Sequence, residues 1–465
     1  MSTSTTRGIR RSSEEYLAAA MALLDETGPA GANLGFTVAA AADMTGMARS
    51  AVYRRWDTIE QLNDDLAYFK ACHRQGWQRR ILEQLPQRPF LESLRASIGD
   101  FSDRDGIGVR GVVVAWPVDH PARARVATWE EAWLTAFERW LDQHARSTAR
   151  RWTDGTSPRL AAIALAALIE GRCLEQIFRL GFEHVEWARA EQGFLIERAD
   201  ALLESLFADG PAPSPGAEEV DLWLPDASPI PPDDSIPASA DRLGLSFANK
   251  SYVHWLPEPG RLVDLGQLSR RIGVTERRLY GVWPTAGEMN TELAARLLDR
   301  TFTRYADVAS LAIEVGDDDE CTTFEELLIS MFAAMTVPAQ AQGEASMFAL
   351  SMTLTHPLVR AETIATFEAW RPALRSIFLA MLALTGAYRR PGVTADAYHD
   401  TVIAALVGSQ RLVELHPTLA AETVRYRDVV HPLLGMVLLR VGASLATLDR
   451  PRRPVVGGAP PIASI

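Results

Sequence analysis

Apolar residues recur at helical spacing along most of this chain. The polar stretch 1–11 ends in Arg7, Arg10 and Arg11. Ser12-Ser-Glu-Glu15 then forms a capping box, and Tyr16, Leu17, Ala20, Leu23 and Leu24 predict a helix to about Thr27. Gly28-Pro-Ala-Gly31 stops it. Short helical patterns fill roughly 36–56, and a longer one runs from about 59 to 84. From 90 to 208 the pattern stays helical: Phe90–Phe101, Ala122–Ala145, Pro158–Leu180 and Trp187–Phe207. Gly106–Trp116 reads as helix, although Val112–Val114 also suits a short strand. Residues 209–240 lose the period and fill with proline and acidic side chains, so they predict a linker. Leu222-Trp223-Leu224 within it suits docking on a domain. Helical patterns resume at about 241–255, 262–283, 287–313, 322–335, 339–353, 358–385, 394–415 and 421–447, before a proline- and glycine-rich tail at 448–465.

The two halves carry one pattern. Residues 46–66 read GMARSAVYRRWDTIEQLNDDL, and residues 273–293 read GVTERRLYGVWPTAGEMNTEL. Without a gap, Gly46 meets Gly273, Tyr53 meets Tyr280 and Trp56 meets Trp283, at a constant offset (280 − 53 = 227). A second echo pairs His120-Pro121 and Glu131-Ala-Trp133 with His356-Pro357 and Glu368-Ala-Trp370 (370 − 133 = 237). A period near half the chain length predicts two copies of one fold.

Each copy reads as a helix-turn-helix. Leu265, Leu268 and Ile272 lie on one helical face, Gly273 breaks the helix, and a second helix starts at Thr275. Val274 is placed to plug the angle, and the Thr275 hydroxyl to cap the new helix. In the first copy Val38, Ala41 and Ala42 form the inner face, Gly46 turns, Met47 plugs, and Ala48 to Trp56 is the second helix. Thr58 and Thr285 open a third helix in each copy with capping boxes.

This arrangement resembles the TetR family of one-component transcriptional regulators. Thr37, Val38, Ala42, Gly46, Met47, Val52, Tyr53, Trp56, Glu60 and Leu62 match its pattern in the first copy. Leu268, Ser269, Gly273, Val274, Thr275, Leu279, Tyr280, Trp283 and Met289 match it in the second. The resemblance implies an all-α chain of tandem units, each a helix-turn-helix head with a helical ligand-binding and dimerisation domain. The implied boundaries are a basic arm at 1–11, heads at 12–66 and 241–293, and regulatory domains at 67–208 and 294–447. Helices 158–180 and 187–207 would pack on 394–415 and 421–447, making an intramolecular pseudo-dimer in which the linker keeps the halves together. Further dimerisation remains open.

Double-stranded DNA is the implied partner, with the second helix of each head in a major groove. Arg49 and Ser50 in the first head, and Thr275, Glu276, Arg277 and Arg278 in the second, stand at its base-reading end. Arginine bridges guanine, and glutamate accepts from cytosine. The family sets a threonine and a tyrosine on phosphate, which here are Thr37, Tyr53 and Tyr280. Arg54, the arm residues Arg10 and Arg11, and the capped helix starts at Thr58 and Thr285 would add backbone contacts. Trp56 and Trp283 read as core. Because ARSAVYRRW differs from TERRLYGVW, the operator should hold two unlike half-sites. The implied effector is a hydrophobic small molecule lined by Trp116, Trp129, Trp133, Phe137 and Phe178 in the first half, and Met335, Met347, Trp370 and Phe378 in the second. Its binding would release the DNA, giving a repressor.

Composition fits a soluble two-lobed protein. The chain has 465 residues, 47% of them hydrophobic, and no apolar run long enough to span a bilayer. Cys72, Cys173 and Cys321 are too few and too scattered for a disulfide framework or a zinc site, which suits the cytoplasm. No catalytic motif, metal spacing or cofactor loop is present, so the sequence predicts neither an enzyme nor a cofactor. His120 and His356, each before proline, read as residues that open a helix. The net charge of −12 works against nucleic acid in bulk, while a reading head needs only a local basic face. Residues 36–70 carry four basic against five acidic side chains, and 261–300 carry seven against five. Ile59 and Ala286 stand where the family carries a phosphate-binding lysine. These features motivate an alternative: a ligand-sensing or interaction protein of the same fold with weak or lost DNA binding.

Overall fold

The computed structural model describes residues 49–54, 56, 61, 65, 92–94, 121–180, 186–208, 265–273, 275–292, 295, 329, 357–384 and 387–446. These are mostly helical. In chain order they form α1 (Arg49–Tyr53), α2 (Pro121–Ser147), α3 (Pro158–Leu180), α4 (Glu186–Ser205), α5 (Leu265–Ile272), α6 (Glu276–Tyr280), α7 (Pro357–Leu384) and α8 (Ala395–Leu415). A 3₁₀ turn (Pro417–Ala421), strands β1 (Thr423–Tyr426) and β2 (Val429–Pro432), and α9 (Leu433–Leu445) complete the order. Three long helices open on proline, α2 at Pro121, α3 at Pro158 and α7 at Pro357, where the missing amide costs no helical hydrogen bond.

The most extensive helix pairing is α3 on α8. Residues 160–172 of α3 are buried without interruption, which needs a helix apolar on nearly every face; LAAIALAALI supplies it. Small residues let the backbones touch. A methyl added at Gly171 would overlap the carbonyl oxygen of Ala404, and one added at Gly408 would overlap that of Ala167. These two contacts exchange partners under a single shift (408 − 171 = 237, 404 − 167 = 237). Helix α9, buried along its whole length, packs against α3, α4 and α8.

The same shift relates the segments that lead into α3 and α8. The Arg150 amide donates to Ala145 O at 2.9 Å, and the Ala387 amide to Leu382 O at 2.9 Å. The Thr153 amide donates to Leu206 O at 2.9 Å, and the Arg390 amide to Leu445 O at 2.7 Å. Gly155 and Gly392 both take the left-handed backbone, with φ +68° and +81°. Ser157 and Thr394 cap the helices that follow, accepting from the Leu160 and Ala397 amides at 3.1 Å each.

Two features depart from the sequence reading. Residues 421–447 are not one helix: β1 and β2 form an antiparallel hairpin before α9. Arg427 and Asp428 turn it at φ 48° and 65°, the left-handed pair that a two-residue hairpin needs. Tyr426 from this hairpin lies against Gly155, where an added methyl would run into its ring, and Arg440 on α9 donates to Asp154 O. The second half thus reaches onto the turn before α3. Also, α1 ends at Tyr53, so Trp56 lies beyond it rather than within the helix. The predicted arm, linker and tail lie outside the described residues.

Candidate nucleic-acid interface and effector region

The two motif segments agree in detail. Tyr53 and Tyr280 are 53% and 52% exposed, while Trp56 and Trp283 are 5% and 6% exposed. Trp56 Nε1 donates to Asp65 Oδ2 at 2.8 Å, and Trp283 Nε1 donates to Glu292 Oε2 at 2.6 Å. Asp65 and Glu292 are themselves related by the head offset (292 − 65 = 227). Each indole is pinned in the core, and each tyrosine three residues earlier stands outward. The sequence placed the tryptophans in the core but missed their carboxylate partners. The signal was present, since the offset lays one acid on the other.

In the second segment α5 ends at Gly273, whose φ of +69° is the left-handed turn the sequence predicted. Leu265, Leu268 and Leu279 are buried between α5 and α6, with Met289 and Trp283 in the same core. Thr275 sits at the N-cap of α6, but its side chain makes no capping hydrogen bond, a correction to the sequence reading. Its hydroxyl remains on the exposed face. Thr285 behaves as predicted: the Glu288 amide donates to its Oγ1 at 3.1 Å. Arg49, Ser50 and Arg54 in the first segment, and Glu276, Arg277 and Arg278 in the second, are exposed. They form two surfaces that can offer guanidinium, hydroxyl and carboxylate groups to a partner. Arg10, Arg11, Thr37 and Thr58 lie outside the described residues.

Of the predicted effector contacts, Trp133, Phe137, Trp370 and Phe378 are buried. Trp133, Phe137 and Trp140 stack in succession along α2, with ring centroids 5.0 and 5.4 Å apart. Trp370, Leu374 and Phe378 follow at four-residue spacing on α7 and are likewise buried. The side chains of Trp129 and Phe178 lie outside the described residues, as do Trp116, Met335 and Met347.

Charged groups inside these apolar helices escaped the sequence reading. Arg172 on α3 bonds Glu175 at 2.8 Å and lies 4.7 Å from the Phe194 ring centroid. Across the α3–α8 seam its Nη1 is 3.9 Å from Asp400. Arg411 on α8 is fully buried with Glu130 of α2 at 3.9 Å, and His416 stands 3.7 Å from the same carboxylate. Arg159 grips Glu131 at 2.8 and 3.1 Å and reaches Glu422 at 3.4 Å. The hydrogen bond from Arg159 holds the Glu131 carboxyl below its usual range, against the effect of burial. The only hint in sequence was a charge within an apolar stretch, such as Glu170 and Arg172 after LAAIALAALI.

Among the described residues no group of His, Cys, Asp and Glu is arranged to hold a metal ion, and no helix is long and apolar enough to cross a membrane. No protein-family model matches the chain, and no curated protein matches it in sequence.

Proposed function

We propose that this chain is a DNA-binding transcriptional regulator of TetR type, in which two fused units act as a pseudo-dimer and a hydrophobic small molecule controls the spacing of the heads. The observation that carries this reading is the repeated unit of an exposed tyrosine, a buried tryptophan and a carboxylate nine residues on. A purely structural repeat has no reason to keep a large aromatic half in water twice. A phenol facing a phosphate does.

The reciprocal glycine contacts between α3 and α8 support the pseudo-dimer. In that role the seam replaces the interface that two separate subunits would form, and the covalent connection makes association independent of concentration. Unlike side chains at the two heads, Arg49 and Ser50 against Glu276, Arg277 and Arg278, predict an operator with two different half-sites. An effector in either regulatory core would favour a head spacing that misfits DNA.

A mobility-shift assay on DNA upstream of its own gene tests the reading. Binding is expected, with Arg277→Ala costing about 1–3 kcal/mol and relaxing preference at one base pair. Tyr53→Phe and Tyr280→Phe should weaken binding on every sequence alike. A selected site that is a strict palindrome would sink the two-headed version. Glu276, exposed at the tip of α6, favours the second reading, a ligand sensor without DNA affinity. No shift on any tested DNA, with ligand binding retained, would establish that reading instead.

A further inference from the structure

Helix α8 holds an imidazole and a carboxylate within its apolar length. His399 and Asp400 are 5% and 8% exposed. Arg371 Nη2 from α7 donates to both oxygens of Asp400 at 2.8 Å, and His399 Nδ1 stands 3.0 Å from Asp400 Oδ1. Burial by itself would raise the Asp400 carboxyl. The hydrogen bond from His399 and the charges of Arg371 and Arg172 more than offset it, and the group lies below its usual range. Asp400 Oδ1 is placed to accept from the His399 Nδ1–H, and an imidazole with its one proton on Nδ1 presents Nε2 as a lone-pair acceptor. That Nε2 is buried and has no hydrogen-bond partner. An unmet buried polar atom is unfavourable, yet Asp400, itself held by Arg371, fixes this one in place.

The first half shows that the fold does not require it. Under the shift relating α3 to α8 (399 − 162 = 237), Ala162 stands for His399, Ile163 for Asp400 and Leu134 for Arg371. All three are buried and apolar. The polar relay is therefore an addition to the second half alone. An aromatic ring stands beside it: the Phe378 ring centroid lies 6.1 Å from that of His399, on the α7 face that also carries the buried Trp370 and Leu374.

The geometry points to His399 Nε2 as the anchoring acceptor for an effector in the second half, an aromatic molecule that bears a hydroxyl or N–H donor. This deepens, and rests on, the reading of the chain as a ligand-controlled regulator. The apolar helices take the rings, and the relay selects the donor. The same relay reaches the seam. Asp400 Oδ2 is 3.9 Å from Arg172 Nη1 on α3. A donor engaging Nε2 polarises the imidazole and strengthens its bond to Asp400, which alters the pull of that carboxylate on Arg172. Effector contact and the joint between the halves thus share one side chain.

The test uses the full chain without DNA and 2-naphthol as probe. The comparison compound is 2-methoxynaphthalene, which keeps the rings and lacks the donor. Long-range proton–nitrogen NMR reads the His399 ring, assigned by the signal lost in His399→Gln. 2-Naphthol should bind saturably, move the Nε2 resonance and bind at least about tenfold more tightly than the ether. His399→Phe should abolish that preference, and Asp400→Asn should reduce it. Equal binding of the two compounds, an unmoved Nε2 resonance, or a preference that survives His399→Phe would each overturn the proposal and leave ordered water as the partner. Should His399→Phe fail to fold, the naphthol–ether comparison on the native chain decides alone. No DNA enters the assay, so its failure and a failed mobility shift are separate results.

Discussion

At the scale of single residues, burial and exposure divide the repeated motif into two jobs. Trp283 holds the second head together, and Tyr280, three residues earlier, faces outward. Trp283→Phe keeps an aromatic ring but leaves Glu292 Oε2 without the indole donor it now has at 2.6 Å. The variant should lose about 1–3 kcal/mol of head stability, read as a lowered thermal midpoint. Tyr280→Phe should leave that midpoint unchanged within about 0.5 kcal/mol and, on the proposed reading, act on DNA affinity instead. The burial of the tryptophan was legible in the sequence, because a tryptophan and a tyrosine at fixed spacing recur at a fixed offset. The acid partners were not, since they lie nine residues away and differ in type, Asp65 in one copy and Glu292 in the other. The relay at His399 was hidden for another reason. A polar pair in an apolar helix looks the same in sequence whether water or an arginine from another helix meets it.

At the scale of elements, the α3–α8 contact depends on what glycine lacks. Gly408→Ala would place a methyl on the Ala167 carbonyl, and neither backbone can yield without separating the helices. The substitution should cost about 1–3 kcal/mol or more, seen as a lower urea midpoint. Gly193→Ala on α4 is the control, because nothing lies within 4 Å of the added methyl. There the gain in helix propensity should stabilise by up to about 1 kcal/mol. The long helices were legible to within a residue or two, since α2, α3, α7 and α8 repeat apolar side chains at helical spacing. The hairpin was missed because its turn is Arg427-Asp428 rather than Asn-Gly, and because LLGMVLLRV beyond it reads as helix. The alternation in TVRY and the paired valines Val429 and Val430 were the available signal.

At the scale of the molecule, two charged clusters tie the halves together, and their chemistry sets a pH limit. Asp400 is held below its ordinary value of 3.8 and Glu131 below 4.5, so both are depressed in the folded state. A depressed carboxylate stabilises the fold above its unfolded value, and that contribution is lost as pH falls through the folded value. The urea midpoint should therefore stay level above about pH 5 and decline below about pH 4. Asp400→Asn should lower the plateau and flatten the decline, and denaturation at stepped pH reads both effects. The halves also meet as parts of one gene product. In an assembly of identical subunits, each mutation appears on both sides of the axis at once, so a new arginine needs its answering acid built into the same surface. Here Arg172 faces Asp400, while the counterpart of Arg172 in the other copy is Ser409 (409 − 172 = 237). Selection can rewrite one cheek of the joint and leave the other as it was.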